Sequence, residues 1–204
     1  MARYGAGHKQ ATRRRMIETA GRRFKSDGID GSGIATLVAD AGLTNGAFYG
    51  HFSSKDDLVA AVVTDQLDAQ VALLDSLPAE SGVEAFIRDY VSAAHRDDPA
   101  AGCPSASLLD EIGRCDGAIR QAYTAGVRSV IAAIARHLDD GDDHTSPAEE
   151  RAIGLVGLLV GSLQLARALE DRQLSDRVLA AAHANALRLV APAGRRPTTD
   201  QESA

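Results

Sequence analysis

The stretch Gly42 to Lys55, GLTNGAFYGHFSSK, constrains this chain more than any other. Thr44 is of the N-cap type, with a hydroxyl able to accept from a free backbone N–H at a helix start. The few residues after it are too short for a free-standing helix, so packing must hold them. Leu43, Phe48 and Phe52 are the anchors available. Just upstream, Ile34 to Ala41 reads as another short helix, with Ile34, Leu37, Val38 and Ala41 apolar. Gly42 falls at the break, where a left-handed residue costs glycine least. Helix, glycine-bearing turn and short capped helix together make a helix-turn-helix, whose second helix is of the kind that enters a major groove.

With Phe48 and Phe52 turned inward, Asn45, Gly46, Tyr49 and Gly50 fall on or near the outer face. Asn45 begins the helix, where base edges are reached, and an Asn amide can pair with adenine. Gly46, Ala47 and Gly50 are small and permit close approach. Tyr49, His51 and Lys55 offer donors at phosphate height. The same pattern also suits a short helical hairpin buried in a core.

The segment GLTNGAFYGHFSSKDDLV resembles the recognition-helix region of the TetR family of bacterial transcriptional repressors. The resemblance extends upstream through Ile17, Ala20, Phe24, Gly28, Ile34, Leu37, Val38, Ala41 and Gly42, and covers about residues 10–60. It implies an all-α protein: a three-helix DNA-binding head, then a larger helical body that dimerises and binds an inducer. The implied divisions are a head over 8–54, a body over 55–191 and a tail over 192–204. GCPSASLLDE, Gly102 to Glu111, resembles a GCP segment in one group of such regulators, some of which sense electrophiles or oxidants. One position departs from the pattern. Where the family carries Ser or Thr to hold a phosphate at the second helix, this chain has Ser32-Gly33, so Ser32 or the bare Gly33 N–H must serve.

Charge supports a nucleic-acid partner only when divided along the chain. The net charge is −6, yet residues 1–55 carry nine Lys and Arg against four Asp and Glu, a balance of +5. The remainder carries 13 against 24, a balance of −11. A basic head on an acidic body is the footprint of a DNA binder. Aromatics are only 4% of residues, and the wealth of Ala and Leu favours helices over strands. Cys103 and Cys115 lack metal-ligand spacing. The basic N-terminus has no apolar core of a signal peptide, and the longest uncharged run, Ala152 to Ala166, is short for a bilayer span. A cytoplasmic protein with no membrane association and no cofactor is expected.

Along the chain, Met1 to Gly7 is expected to be mobile and a first helix to run from His8 to Ser26. Arg13, Arg14 and Arg15 crowd its start, against the helix dipole. Contact with phosphates accounts for Arg13 and Arg14; so does solubility alone. Ser54 or Ser53 caps a fourth helix with Leu58, Val62, Leu67, Val71 and Leu74 on one face. Further helices are predicted over Val83 to Arg96, Ser105 to Gly113, Ala118 to Leu138, from Ser146-Pro147 to about Leu169, and over Asp176 to Val190. HLDDGDDH, His137 to His144, lacks calcium-loop spacing and reads as a solvated acidic loop. The middle of this helix, IGLVGLLVGSLQLA from Ile153 to Ala166, is apolar all round, with Gly154, Gly157 and Gly161 placed for close helix approach, and must be buried on more than one side. Residues 192–204 read as a disordered tail. Ser105 and Ser107 have no evident catalytic partner.

The expected function is a homodimeric repressor on a pseudo-palindromic operator, released by a small-molecule inducer. The dimer would form through Ile153–Leu169 and Asp176–Val190. The family layout brings Phe86, Tyr90, Leu108, Tyr123 and Val127 around one inducer cavity, with Cys103 close by. Those five side chains suit a plain core equally well. The alternatives are a regulator triggered by modification of Cys103, a DNA binder without a ligand, and a helical enzyme or interaction module with an incidental basic head.

Overall fold

The computed structural model describes residues 3–78, 81–115, 117–138 and 148–191. Ten α-helices and no strand occur among these residues. They are α1 Arg3–Asp27, α2 Ile34–Asp40, α3 Asn45–Tyr49, α4 Lys55–Ser76, α5 Gly82–Tyr90, α6 Ala93–Asp97, α7 Pro104–Arg114, α8 Gly117–Leu138, α9 Ala148–Ala168 and α10 Arg172–Val190.

The head forms around three phenylalanines. Phe24 of α1, Phe48 of α3 and Phe52 just beyond it are fully or almost fully buried, with Leu37 and Val38 of α2 beside them. Gly28 and Gly42 end α1 and α2 with positive φ, +82° and +65°, conformations that strain any residue with a Cβ. Arg23 of α1 grips Asp27 at 2.7 Å and Asp40 of α2 at 2.8 Å. Ser54 caps α4 by accepting from Asp57 N–H at 3.1 Å, and the Asp57 carboxylate accepts in return from Ser53 N–H at 2.9 Å.

α4 continues from the head into the body and packs along α8. The approach is closest at Gly126, where an added Cβ would lie 2.5 Å from Leu67 Cδ1. α9 fills the space between α8 and α10, burying Ala152, Leu155, Leu159, Leu163 and Ala166. Arg96, itself buried, ties α6 to α10 by donating to Ser175 Oγ at 2.9 Å and Asp176 Oδ1 at 2.5 Å. Hydrogen bonds from Arg96 and Arg172 hold the Asp97 carboxyl down at about 2.

Four expectations are corrected. α1 begins at Arg3, so Arg3 to Gly7 is helical; Met1 and Ala2 lie outside the described residues. The helix expected over Val83 to Arg96 is two, because Ser92 turns extended and caps a new start, its hydroxyl accepting from His95 N–H at 3.1 Å. α10 starts at Arg172 rather than Asp176, since Asp171 caps it through Leu174 N–H. Thr44 occupies the N-cap of α3 but makes no side-chain cap bond; its backbone carbonyl oxygen instead accepts from Ala47 N–H at 2.9 Å. Most of the acidic loop, Ser146-Pro147 and residues 192–204 lie outside the described residues.

The glycine-bearing face of α9 is open in the single chain. Ile153 and Leu165 are each 52% exposed, and a Cβ on Gly154, Gly157 or Gly161 would meet nothing. α9 is long and apolar enough to pass as a membrane span by length and composition alone. A core helix passes the same test, and the packing of α9 on α8 and α10 fits one.

Candidate nucleic-acid interface and body cavity

The outer surface of α3 is built by what its inner surface buries. With Phe48 fully enclosed, Thr44, Asn45, Gly46, Tyr49 and Gly50 are exposed, and Ala47, His51 and Lys55 are half-buried. Tyr49 is 66% exposed and stands edge-on to Phe48, with ring centroids 5.2 Å apart. A Cβ added at Gly46 would meet nothing within the chain, so this surface accepts close approach. Arg13 lies over the Phe52 ring, 4.9 Å from its centroid, which fixes a cation beside α3. Arg14 pairs with Glu18 at 2.8 Å on the exposed side of α1. Burial, with Lys9 and Arg13 nearby, pushes the His51 imidazole down from its ordinary pKa, and its buried Nδ1 has no partner among the described residues.

At the second helix, Ser32 is buried and its hydroxyl donates to Gly28 O at 2.8 Å. The exposed residue there is Gly33, at the N-cap of α2. Of the Ser32-Gly33 pair, Gly33 is therefore the one placed to meet a phosphate at the surface.

The body contains a cavity of about 750 Å³ bounded by α1, α4, α5, α6 and the start of α7. Phe86, Tyr90 and Cys103 line it, together with Lys25, Gln66, Gln70 and His95. A deeper void of about 20 Å³, room for about one water, is bordered by Phe86, Tyr90, Cys103 and Val127. Leu108 and Tyr123 border neither. Leu108 is core, and Tyr123 donates to Ser105 Oγ at 3.0 Å.

The wall around Cys103 is ordered by hydrogen bonds. Cys103 is the N-cap of α7, with Pro104 in the first helical position. Its N–H donates to His95 Nε2 at 3.0 Å, so the imidazole proton sits on Nδ1 and is donated to Tyr90 O at 2.8 Å. Burial pushes the His95 pKa down and keeps the ring neutral. The half-buried Cys103 thiol donates to Gln70 Oε1 at 3.4 Å. Arg167, from α9, donates to His95 O at 2.7 Å and to Ala106 O at 3.0 Å.

Two ties join this wall and the α7 helix that follows it to the head. Lys25, in the last turns of α1, donates to Gly102 O at 2.7 Å. Glu111 of α7 accepts from Ile29 N–H at 2.7 Å and Asp30 N–H at 3.3 Å, in the turn between α1 and α2. The sequence reading missed Lys25, Gln66, Gln70, His95 and Glu111. Lys25 reads there as one more polar residue on α1.

Residues 16–62 match the family model of bacterial regulatory proteins, tetR family. Residues 79–182 match that of the tetracyclin repressor-like C-terminal domain. The chain belongs to the TetR family. TetR-family members are non-enzymatic DNA-binding regulators of transcription, and this chain is one. It is 26% identical over 179 residues to the HTH-type transcriptional regulator SrpR of Pseudomonas putida, spanning 85% of this chain and 83% of that protein. To the HTH-type transcriptional repressor NemR of Escherichia coli K12 it is 26% identical over 141 residues, 65% of this chain and 70% of that one. The crystal structure of reduced E. coli NemR has the same TetR fold, with a TM-score of 0.76 at 23% identity over 90% of this chain and 99% of that one.

Proposed function

We propose that this protein is a cytoplasmic, homodimeric repressor whose two α3 helices enter successive major grooves of a pseudo-palindromic operator, and that a small molecule in the body cavity releases it. The observation that carries the reading is the pair of ties from Lys25 and Glu111, because the first bonds the cavity wall, and the second the helix that starts at that wall, to the DNA-binding head. A ligand that shifts the start of α7 must shift or break them. Such coupling is reciprocal, so operator DNA weakens ligand binding by the factor by which ligand weakens DNA binding. The open glycine-bearing face of α9, with α10 beside it, supports a four-helix dimer interface.

Fluorescence anisotropy on operator and scrambled duplexes tests the groove assignment. Asn45→Ala is expected to cost about 1–3 kcal/mol per half-site on the operator and little on scrambled DNA, if the amide reads a base. Tyr49→Ala and Lys55→Ala, as phosphate contacts, should weaken both duplexes alike and flatten the salt dependence. Unchanged affinity in all three variants rejects the assignment.

A second reading, release by chemical modification of Cys103, is favoured by the half-exposed thiol on the cavity wall, at a helix N-cap and among the charges of Lys25 and Arg167. The NemR likeness, whose crystal form is described as reduced, is compatible with it. Cys103→Ser should resist release from DNA by a thiol reagent, and Cys115→Ser should respond like the parent. Release of the Cys103 variant as readily as the parent removes this reading.

A further inference from the structure

The cations at the cavity wall make no ion pair with any carboxylate among the described residues. Lys25 Nζ has one acceptor, the neutral Gly102 carbonyl, and makes no ion pair among the described residues. An ammonium has three N–H donors, so two remain to be placed. Burial pushes the Lys25 pKa down, the mark of a charge short of solvation. Immediately behind Gly102 stands Arg167, whose guanidinium spends its donors on backbone carbonyls and the Ser107 hydroxyl, again without an ion pair. Burial lowers its pKa as well.

The nearby carboxylates do not cancel this. Asp98 also lines the cavity and its charge favours the protonated Lys25 and Arg167, but it is exposed, pairs with neither, and accepts from Ala101 N–H at 3.1 Å. Asp89 lies at the rim and pairs loosely with Arg88 at 3.8 Å. A second, independent group faces the same space. Tyr90 is only 6% exposed, lines both the cavity and the deeper void, and its hydroxyl has no nitrogen or oxygen partner among the described residues, only the Cys103 thiol as a weak polar neighbour. A buried hydroxyl without a strong acceptor is costly unless a ligand supplies one. Leu73, Phe86 and Pro104 give the wall an apolar stretch beside the amides of Gln66 and Gln70.

Resting on the reading of this cavity as the effector site, we infer that the effector is a small amphipathic carboxylic acid. Its carboxylate takes the free donors of Lys25 and the Tyr90 hydroxyl, and its apolar body lies along Leu73 and Phe86. Lys25 belongs to the helix that carries the head. The acid therefore touches the DNA-binding unit directly, and its carboxylate competes with Gly102 O for the Lys25 ammonium, loosening one of the two ties. Charge selects the ligand and the same cation transmits its arrival.

Isothermal titration of the full chain, without DNA, with benzoate and octanoate against benzamide and octanamide tests the inference. Each acid is expected to bind about tenfold or more tighter than its amide, the scale of a hydrogen bond to a charged group. Lys25→Met should erase that preference and Lys25→Arg should keep it. Tyr90→Phe, which leaves the ring in place, should weaken the acids more than the amides. The acids should also release operator DNA from the parent. Amides that bind as well as the acids, a Lys25→Met variant that still prefers the acids, or no binding of either acid overturns the inference. Operator binding measured alongside separates the two levels. Failure of the acids with operator binding intact leaves the repressor reading standing, whereas a chain that binds no operator loses that reading whatever the acids do.

Discussion

Phe48→Ala is expected to abolish operator binding while leaving the helical body folded and associated. α3 spans only Asn45–Tyr49, too short to pay its own nucleation cost in water. No side-chain cap assists it, since Thr44 makes no such bond. What holds the helix is its one fully buried ring, seated 5.8 Å from the Phe52 centroid. Removing a buried phenylalanine costs about 3–5 kcal/mol. That is a large part of the stability of a small helical unit. Asn45 and Tyr49 would then lose the backbone that aims them. Circular dichroism should show a small loss of helix, thermal unfolding an early head transition, and anisotropy no specific binding. Sedimentation should still report the parent's association state. Operator affinity within about tenfold of the parent, a loss of only about 1.4 kcal/mol, contradicts this account of α3.

The features legible in the sequence are those decided locally. Gly42 must end α2 because only glycine takes its φ of +65° without strain, and the spacing of Ser54 and Asp57 announces the cap of α4. Phe48 and Phe52 declare the inner face of α3 by their bulk alone. The features that were not legible depend on what arrives from far along the chain. The apolar period of Val83, Phe86 and Tyr90 gives no warning that Ser92 will start a new helix, because that break serves to bury Arg96 against Ser175 and Asp176 of α10. Lys25 looks like solvated helix until the fold sets it against Gly102, 77 positions away. Glycines make the same point in reverse. Gly126 sits unremarked in the sequence of α8, yet Leu67 of α4 packs against it so closely that a Cβ there would lie 2.5 Å from Leu67 Cδ1. Gly154, Gly157 and Gly161, which the pattern marks for close packing, have no neighbour inside the chain. Periodicity identifies a face, and only tertiary placement says what covers it.

That uncovered face makes the dimer the other large effect. On α9, Ile153 and Leu165 stand half exposed on either side of the three glycines, and α10 adds Leu174 and Leu189 at 39% and 38% exposure. Exposed large apolar residues on two packed helices suit an association site. In the proposed dimer the pair would meet its own copy across a two-fold axis as a four-helix bundle, with the glycines letting the backbones close. Gly157→Leu then has opposite effects on its two levels. Inside one chain a side chain at Gly157 meets nothing, and replacing a mid-helix glycine should stabilise α9 by up to about 1 kcal/mol. At the interface the same leucine overfills a close contact, at about 1–3 kcal/mol, and symmetry applies it twice. The expected net result is a dimer weakened by at least about tenfold. A monomer presents one α3 to one half-site, so operator affinity should fall with it, and raising the protein concentration should recover both together. Sedimentation equilibrium and anisotropy over one concentration series read the two. Gly161→Leu should behave alike, whereas Gly126→Leu, set against Leu67, should instead destabilise the fold of each chain. A parent protein that sediments as a monomer, or a Gly157→Leu variant that dimerises like the parent, would place the interface elsewhere.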